Sequence, residues 1–163
     1  RTDELGTTSG IHRDRASGKR RKLAIACRIR VGSPERANSM EPCGTAKRVG
    51  VPFSLHSDAN VTPLGPLHLM WCAVNRLTPS GRVLGEQEKI SAYDALWAVT
   101  QDAAYQMHLD AELGSIECGK FADFTVLSDS PLGVDPLAIK DIEVWGTVVG
   151  GIKQPAVSAA SAA

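Results

Sequence analysis

The stretch 53-FSLHSDAN-60 begins as an apolar strand and ends in a cluster of polar groups. Strands inside a parallel sheet read as near-continuous apolar runs. Here the run through Val51, Phe53 and Leu55 stops at His56, Ser57 and Asp58, so a strand is predicted over 51–56. Two readings of its end stand side by side. In a barrel, the C-terminal end of a strand is where catalytic side chains gather. In a plain surface turn, Asp58 and Asn60 would simply be turn formers.

Helices are predicted on both sides of this strand. Upstream, Ser33, Pro34 and Glu35 combine a capping hydroxyl, a proline in the first turn and an acid near the positive helix end. They predict a short helix to about Asn38, followed by a second from Pro42 to Arg48 that Gly50 stops. Downstream, Thr62-Pro63, Gly65 and Pro66 turn the chain into "LHLMWCAVNRL" (67–77). Its apolar residues recur at helical spacing, which predicts a mostly buried helix. Ser91, with Asp94 three residues on, forms a capping box for another helix ending near His108. His68 reads as a histidine at a helix start, and His108 as one placed favourably at a helix C-terminus.

After Leu113 the period changes. An apolar run of strand length, Phe121 to Leu127, is followed by strand-like pieces at 142–149 and 151–154, with a glycine pair as a tight turn between them. One strand among helices, then strands alone, predicts the end of an α/β barrel joined to a small separate sheet.

The bulk composition agrees with a globular chain. It has 163 residues, 43% of them hydrophobic, and a formal net charge of zero. That zero hides an asymmetry. Residues 1–32 carry nine Lys or Arg against three Asp or Glu, and the remainder carries nine against fifteen. The tract Lys19-Arg20-Arg21-Lys22 is of a kind that binds nucleic acid, but no aromatic residues are interleaved to stack on bases. Nucleic acid is therefore not the expected partner. The four cysteines, Cys27, Cys43, Cys72 and Cys118, form no CxxC pair and indicate neither a zinc ribbon nor a disulfide framework. No apolar run reaches the length of a membrane span, and the expected location is cytoplasmic.

Three motifs in order resemble a known family. "FSLHSDANVTPLGPL", "ISAYDALWAVTQDAAYQM" and "GSIECGKFADFTVLSDSPL" are similar to the C-terminal part of the amidohydrolase-3 group of metal-dependent hydrolases, in its YtcJ-like branch. The likeness runs from about Ser33 to Gln154. It implies a (β/α)8 barrel of the TIM type with an attached β-sandwich. It also implies one or two divalent metals, usually zinc, that activate a water for attack on an amide-like C–N bond of a small molecule. By matching motif, Asp58 is the aspartate that ends the last barrel strand and contacts the metal-bound water. His56, two residues earlier, would point to the same side of a regular strand. His56, Ser57 and Asn60 are thus candidates for substrate contact, and Asp58 for both catalysis and the metal. Asp123, in "KFADF", is expected to be a structural carboxylate in the small sheet.

The chain also departs from that pattern. The family draws further ligands from an H-x-H pair and from histidines of middle strands. The four histidines here, His12, His56, His68 and His108, include no such pair. A catalytic zinc needs about three protein ligands. The expected fold is therefore α/β, a C-terminal fragment of the hydrolase barrel with part of the β-sandwich, inactive alone. Its expected divisions are a basic arm at 1–32, disordered or aberrant, barrel residues 33–110, sandwich residues 111–154 and a loose tail at 155–163. The alternative is a small non-catalytic α/β interaction module that uses the basic arm, and a homo-oligomer is the candidate assembly.

Overall fold

The structure, a computed structural model, describes residues 8–12, 22–26, 34–58, 64–78 and 80–156. Its first elements are two strands, β1 (Thr8–His12) and β2 (Lys22–Ala26), paired antiparallel with Thr8 opposite Ala26. Lys19, Arg20 and Arg21 of the basic tract lie outside the described residues, as do Cys27, Asn60, Thr62 and the tail beyond 156.

The helical region begins with α1 (Pro34–Asn38) and α2 (Cys43–Arg48), close to the positions the punctuation predicts. Pro42, at the N-cap of α2, has no side chain able to cap. A distant residue does so instead. The buried Glu88 carboxylate accepts from the Thr45 N–H and from the Thr45 hydroxyl, both at 2.7 Å. Gly44 lets that approach happen, because a Cβ there would meet the Gln87 carbonyl oxygen at 2.5 Å. Gly50, at φ +68°, ends the turn.

Helix α3 (Pro66–Asn75) starts with extended Gly65 and a proline in its first turn, and stops at Arg76 in the left-handed conformation. The buried Arg76 guanidinium then donates to the carbonyls of Leu84, Glu41 and Met40, which ties the end of α3 to the α1–α2 link. Ser91 caps α4 (Ala92–Val99): its Oγ accepts from the Asp94 N–H at 3.1 Å and donates to the Asp94 carboxylate at 2.8 Å. The single helix expected to His108 is broken. Thr100 leaves helical geometry at φ −120°, ψ −83°, and α5 (Gln101–Gln106) follows. The Thr100 hydroxyl donates to the Leu96 carbonyl at 2.8 Å, a local bond that competes with the helical ladder and bends it.

Phe53, Leu55, Leu69, Met70, Ala73, Ala95, Ala98 and Ile139 form the centre of the core. Helices α3 and α4 pack on one another there, and a 3-10 turn at Pro136–Asp141 packs on α3. Asn75 fastens that turn by donating to the Pro136 carbonyl, and the Trp71 indole donates to that of Leu137.

The C-terminal strands are β3 (Phe124–Leu127), β4 (Val144–Val149) and β5 (Ile152–Pro155), antiparallel in that order. The first starts at 124 rather than 121 because Phe121 is still in the preceding turn, its N–H donating to the Glu112 carbonyl. Gly150 and Gly151 are both left-handed, at φ +56° and +81°, as a two-residue hairpin turn of the primed type requires. Asp123 is structural: its carboxylate accepts from the Gly150 N–H at 2.6 Å and so locks that hairpin against the entry to β3. No helix among the described residues is long and apolar enough to cross a membrane.

Candidate functional site

The opening segment is extended but is not a strand of any sheet. Residues 51–57 form no ladder with the described residues. Other groups take over. Val51 N–H donates to the Ala46 carbonyl at 2.9 Å, and Phe53 N–H to the Asp102 carboxylate at 3.4 Å. The Ser54 hydroxyl donates to the Gln106 side chain at 2.8 Å. Helix α5 therefore holds this segment where a strand neighbour would otherwise lie. Burial pushes the Asp102 pKa up, against the Phe53 N–H bond, the Trp97 side chain and Lys47, which all lower it.

The side chains alternate as in a strand. Phe53, Leu55 and Ser57 are buried, while His56 and Asp58 are exposed. At Asp58 the extended run ends. Asp58 adopts φ +50°, a left-handed conformation uncommon outside glycine. Its N–H donates back to His56 Nδ1 at 2.9 Å. Asn60, the fourth candidate, lies outside the described residues.

These residues do not by themselves fit a metal centre. Among the described residues no group of three or more His, Cys, Asp or Glu is placed to hold an ion. The Nδ1 of His56 is engaged by the Asp58 N–H, so Asp58 and His56 do not together make such a group.

Two other polar features went unseen in the sequence. One is the set of α5 side chains, Asp102 and Gln106, that anchor the segment bearing Asp58; no local pattern announces a contact made across about fifty residues. The other is the buried trio Glu41, Cys43 and Arg76. Burial raises the Glu41 pKa to about 8 even with Arg76 pulling it down, and burial likewise drives the Cys43 thiol far above its usual range. Neither feature touches Asp58. An apolar groove of about 720 Å³ runs between α4–α5 and the sheet, lined by Leu96, Met107, Phe124 and Val148 among others. None of His56, Ser57 or Asp58 lines it.

The described residues combine helices, an extended segment that ends in an exposed aspartate, and a small antiparallel sheet, an α/β arrangement. Comparison with known proteins makes it specific. The sequence model of the amidohydrolase family matches residues 8–152, which reaches further upstream than the three motifs. The chain belongs to the amidohydrolase family. It is 35% identical over 103 residues to the N-substituted formamide deformylase of Arthrobacter pascens, covering 63% of this chain and 19% of that protein. It is 34% identical over 98 residues to the putative amidohydrolase YtcJ of Bacillus subtilis, covering 58% of this chain and 18% of that protein. The chain thus spans about a fifth of the length of these relatives. Among solved structures, it resembles an amidohydrolase from Thermotoga maritima with a TM-score of 0.51 at 23% identity, over 68% of this chain and 25% of that one. Guanine deaminase from Bradyrhizobium japonicum gives 0.54 at 20% identity, over 72% of this chain and 34% of that one. The likeness to both structures is one of fold.

Proposed function

We propose that this chain is the part of a C–N-bond hydrolase that supplies the last strand of a (β/α)8 barrel, with Asp58 at its tip, and part of the adjoining β-sandwich. The reaction is hydrolysis of an amide-like, non-peptide bond in a small molecule. The carrying observation is the segment 53–58, buried at Phe53, Leu55 and Ser57 and ending in an exposed aspartate at φ +50°. A carboxylate so placed can take a proton from an attacking water and return it to the leaving nitrogen. His56 and Asn60 flank it as substrate-contacting positions; Ser57, a candidate from the sequence, is buried and does not share that exposed side. The divalent metal that the family resemblance implies, zinc by expectation, takes its remaining ligands from outside the described residues. The chain alone is therefore expected to be inactive.

A chimera tests this. Residues 34–154 would replace the matching segment of the Arthrobacter pascens deformylase. It is expected to hydrolyse an N-substituted formamide, and Asp58→Asn in that chimera should lower kcat by about 10²- to 10⁴-fold. Equal turnover by the two chimeras would remove Asp58 from the site. For the chain by itself, stoichiometric tight zinc by plasma emission together with turnover would contradict the proposed division of the site.

A further inference from the structure

We infer that His56 is a positioning residue: through Nδ1 it holds the backbone of Asp58 in the left-handed conformation that turns the carboxylate out of the extended segment. The inference rests on the reading of Asp58 as the carboxylate of the site. Three observations carry it. Asp58 sits at φ +50°, where a side chain larger than hydrogen is disfavoured and a local hydrogen bond is the usual compensation. Its N–H donates to His56 Nδ1 at 2.9 Å. Between them, Ser57 is buried, so the two residues on the outward side are linked over an inward-facing one.

The chemistry is specific to one ring nitrogen. The N–H of Asp58 can only donate, so the contact uses the lone pair of Nδ1. His56 thereby orients the segment that carries the carboxylate.

Side-chain geometry supplies the test. Asparagine places its Oδ1 near the position of histidine Nδ1 and can accept the N–H of the residue two ahead. Glutamine places its amide near Nε2 instead. The chain is to be labelled with ¹⁵N, and a coupling across the hydrogen bond between Asp58 N and His56 Nδ1 is expected. A strong intraresidue H–N to Hα contact reports the left-handed Asp58. It should persist in His56→Asn and vanish in His56→Gln and His56→Leu. In the chimera, kcat should follow the same order. Asn, which keeps the acceptor but not the far ring nitrogen, should lose less than Gln and Leu, which fall by about a hundredfold, the scale set by a small misplacement of a reacting group. Absence of the coupling in the parent, or a left-handed Asp58 in all three variants, overturns the inference. Because His56 is exposed, these replacements leave the core untouched. Loss of activity on Asp58→Asn is demanded by the functional reading alone, so the two ideas fail separately.

Discussion

Glu41 sits in an environment far from that of an unfolded chain. It is 7% exposed, lies at φ +51° and has one carboxylate oxygen, Oε2, with no hydrogen-bond partner among the described residues. Its pKa rises from 4.5 to about 8 by burial, despite the nearby Arg76 charge. An unfolded chain releases this proton near pH 4.5, whereas the folded chain keeps it to about pH 8. Stability therefore falls as pH rises through that window and levels off above it. Amide exchange around α1 and α2, corrected for intrinsic rate, should show less protection at pH 8 than at pH 5. In Glu41→Gln that loss should be absent, and an unchanged pH dependence would discard Glu41 as its source. The sequence "MEPC" carries no sign of this burial. A glutamate beside a proline reads as a surface turn until Arg76, thirty-five residues on, is folded against the same carbonyls.

At the scale of elements, two caps contrast a local signal with a distant one. Ser91 and Asp94 form a capping box visible in four residues, and removing it by Ser91→Ala should cost about 0.5–2 kcal/mol. Glu88 caps α2 from forty-three residues away, with the Arg48 guanidinium 3.4 Å from its carboxylate. Glu88→Ala leaves two donors of Thr45 without their acceptor in a protected place, at a cost of about 1–3 kcal/mol. Exchange of the Thr45 amide should quicken in Glu88→Ala and not in Ser91→Ala, since local openings report on their own element. An equal response in both would mean that α2 opens only with the whole domain. The break at Thr100 follows the same division. Its residue type permits a side-chain bond to the preceding turn, but the periodic apolar pattern continues across it and predicts one helix.

For the molecule as a whole, the described residues leave much apolar surface in the open. Trp145, Ile152, Phe121 and Ile116 are 60%, 66%, 58% and 82% exposed. Three of them belong to the small sheet or to the turns leading into it, and the extended segment 51–57 presents backbone edges with no strand beside them. Unpaired edges and large apolar patches favour association. Light scattering on the purified chain should show concentration-dependent self-association, and Trp145→Lys should reduce it. Sharp two-state unfolding of a monomer would argue that the surface is adequate as it stands.

The sequence by itself determined the local grammar and the family. Prolines, glycines and the Ser91–Asp94 pair mark where elements start and stop because those preferences act within one or two turns. The glycine pair at 150–151 dictates a hairpin, and three motifs in order place the chain among amidohydrolases. The alternation of buried and exposed residues over 55–58 was legible too, since a period of two needs no distant partner. Only the tertiary structure decided how that segment is held. The Asp102 and Gln106 contacts, the long-range cap from Glu88 and the left-handed turn fastened to His56 Nδ1 depend on where side chains arrive in space. Neither spacing nor composition encodes such meetings, because a hydrogen bond is set by ångströms between groups that the chain itself keeps far apart.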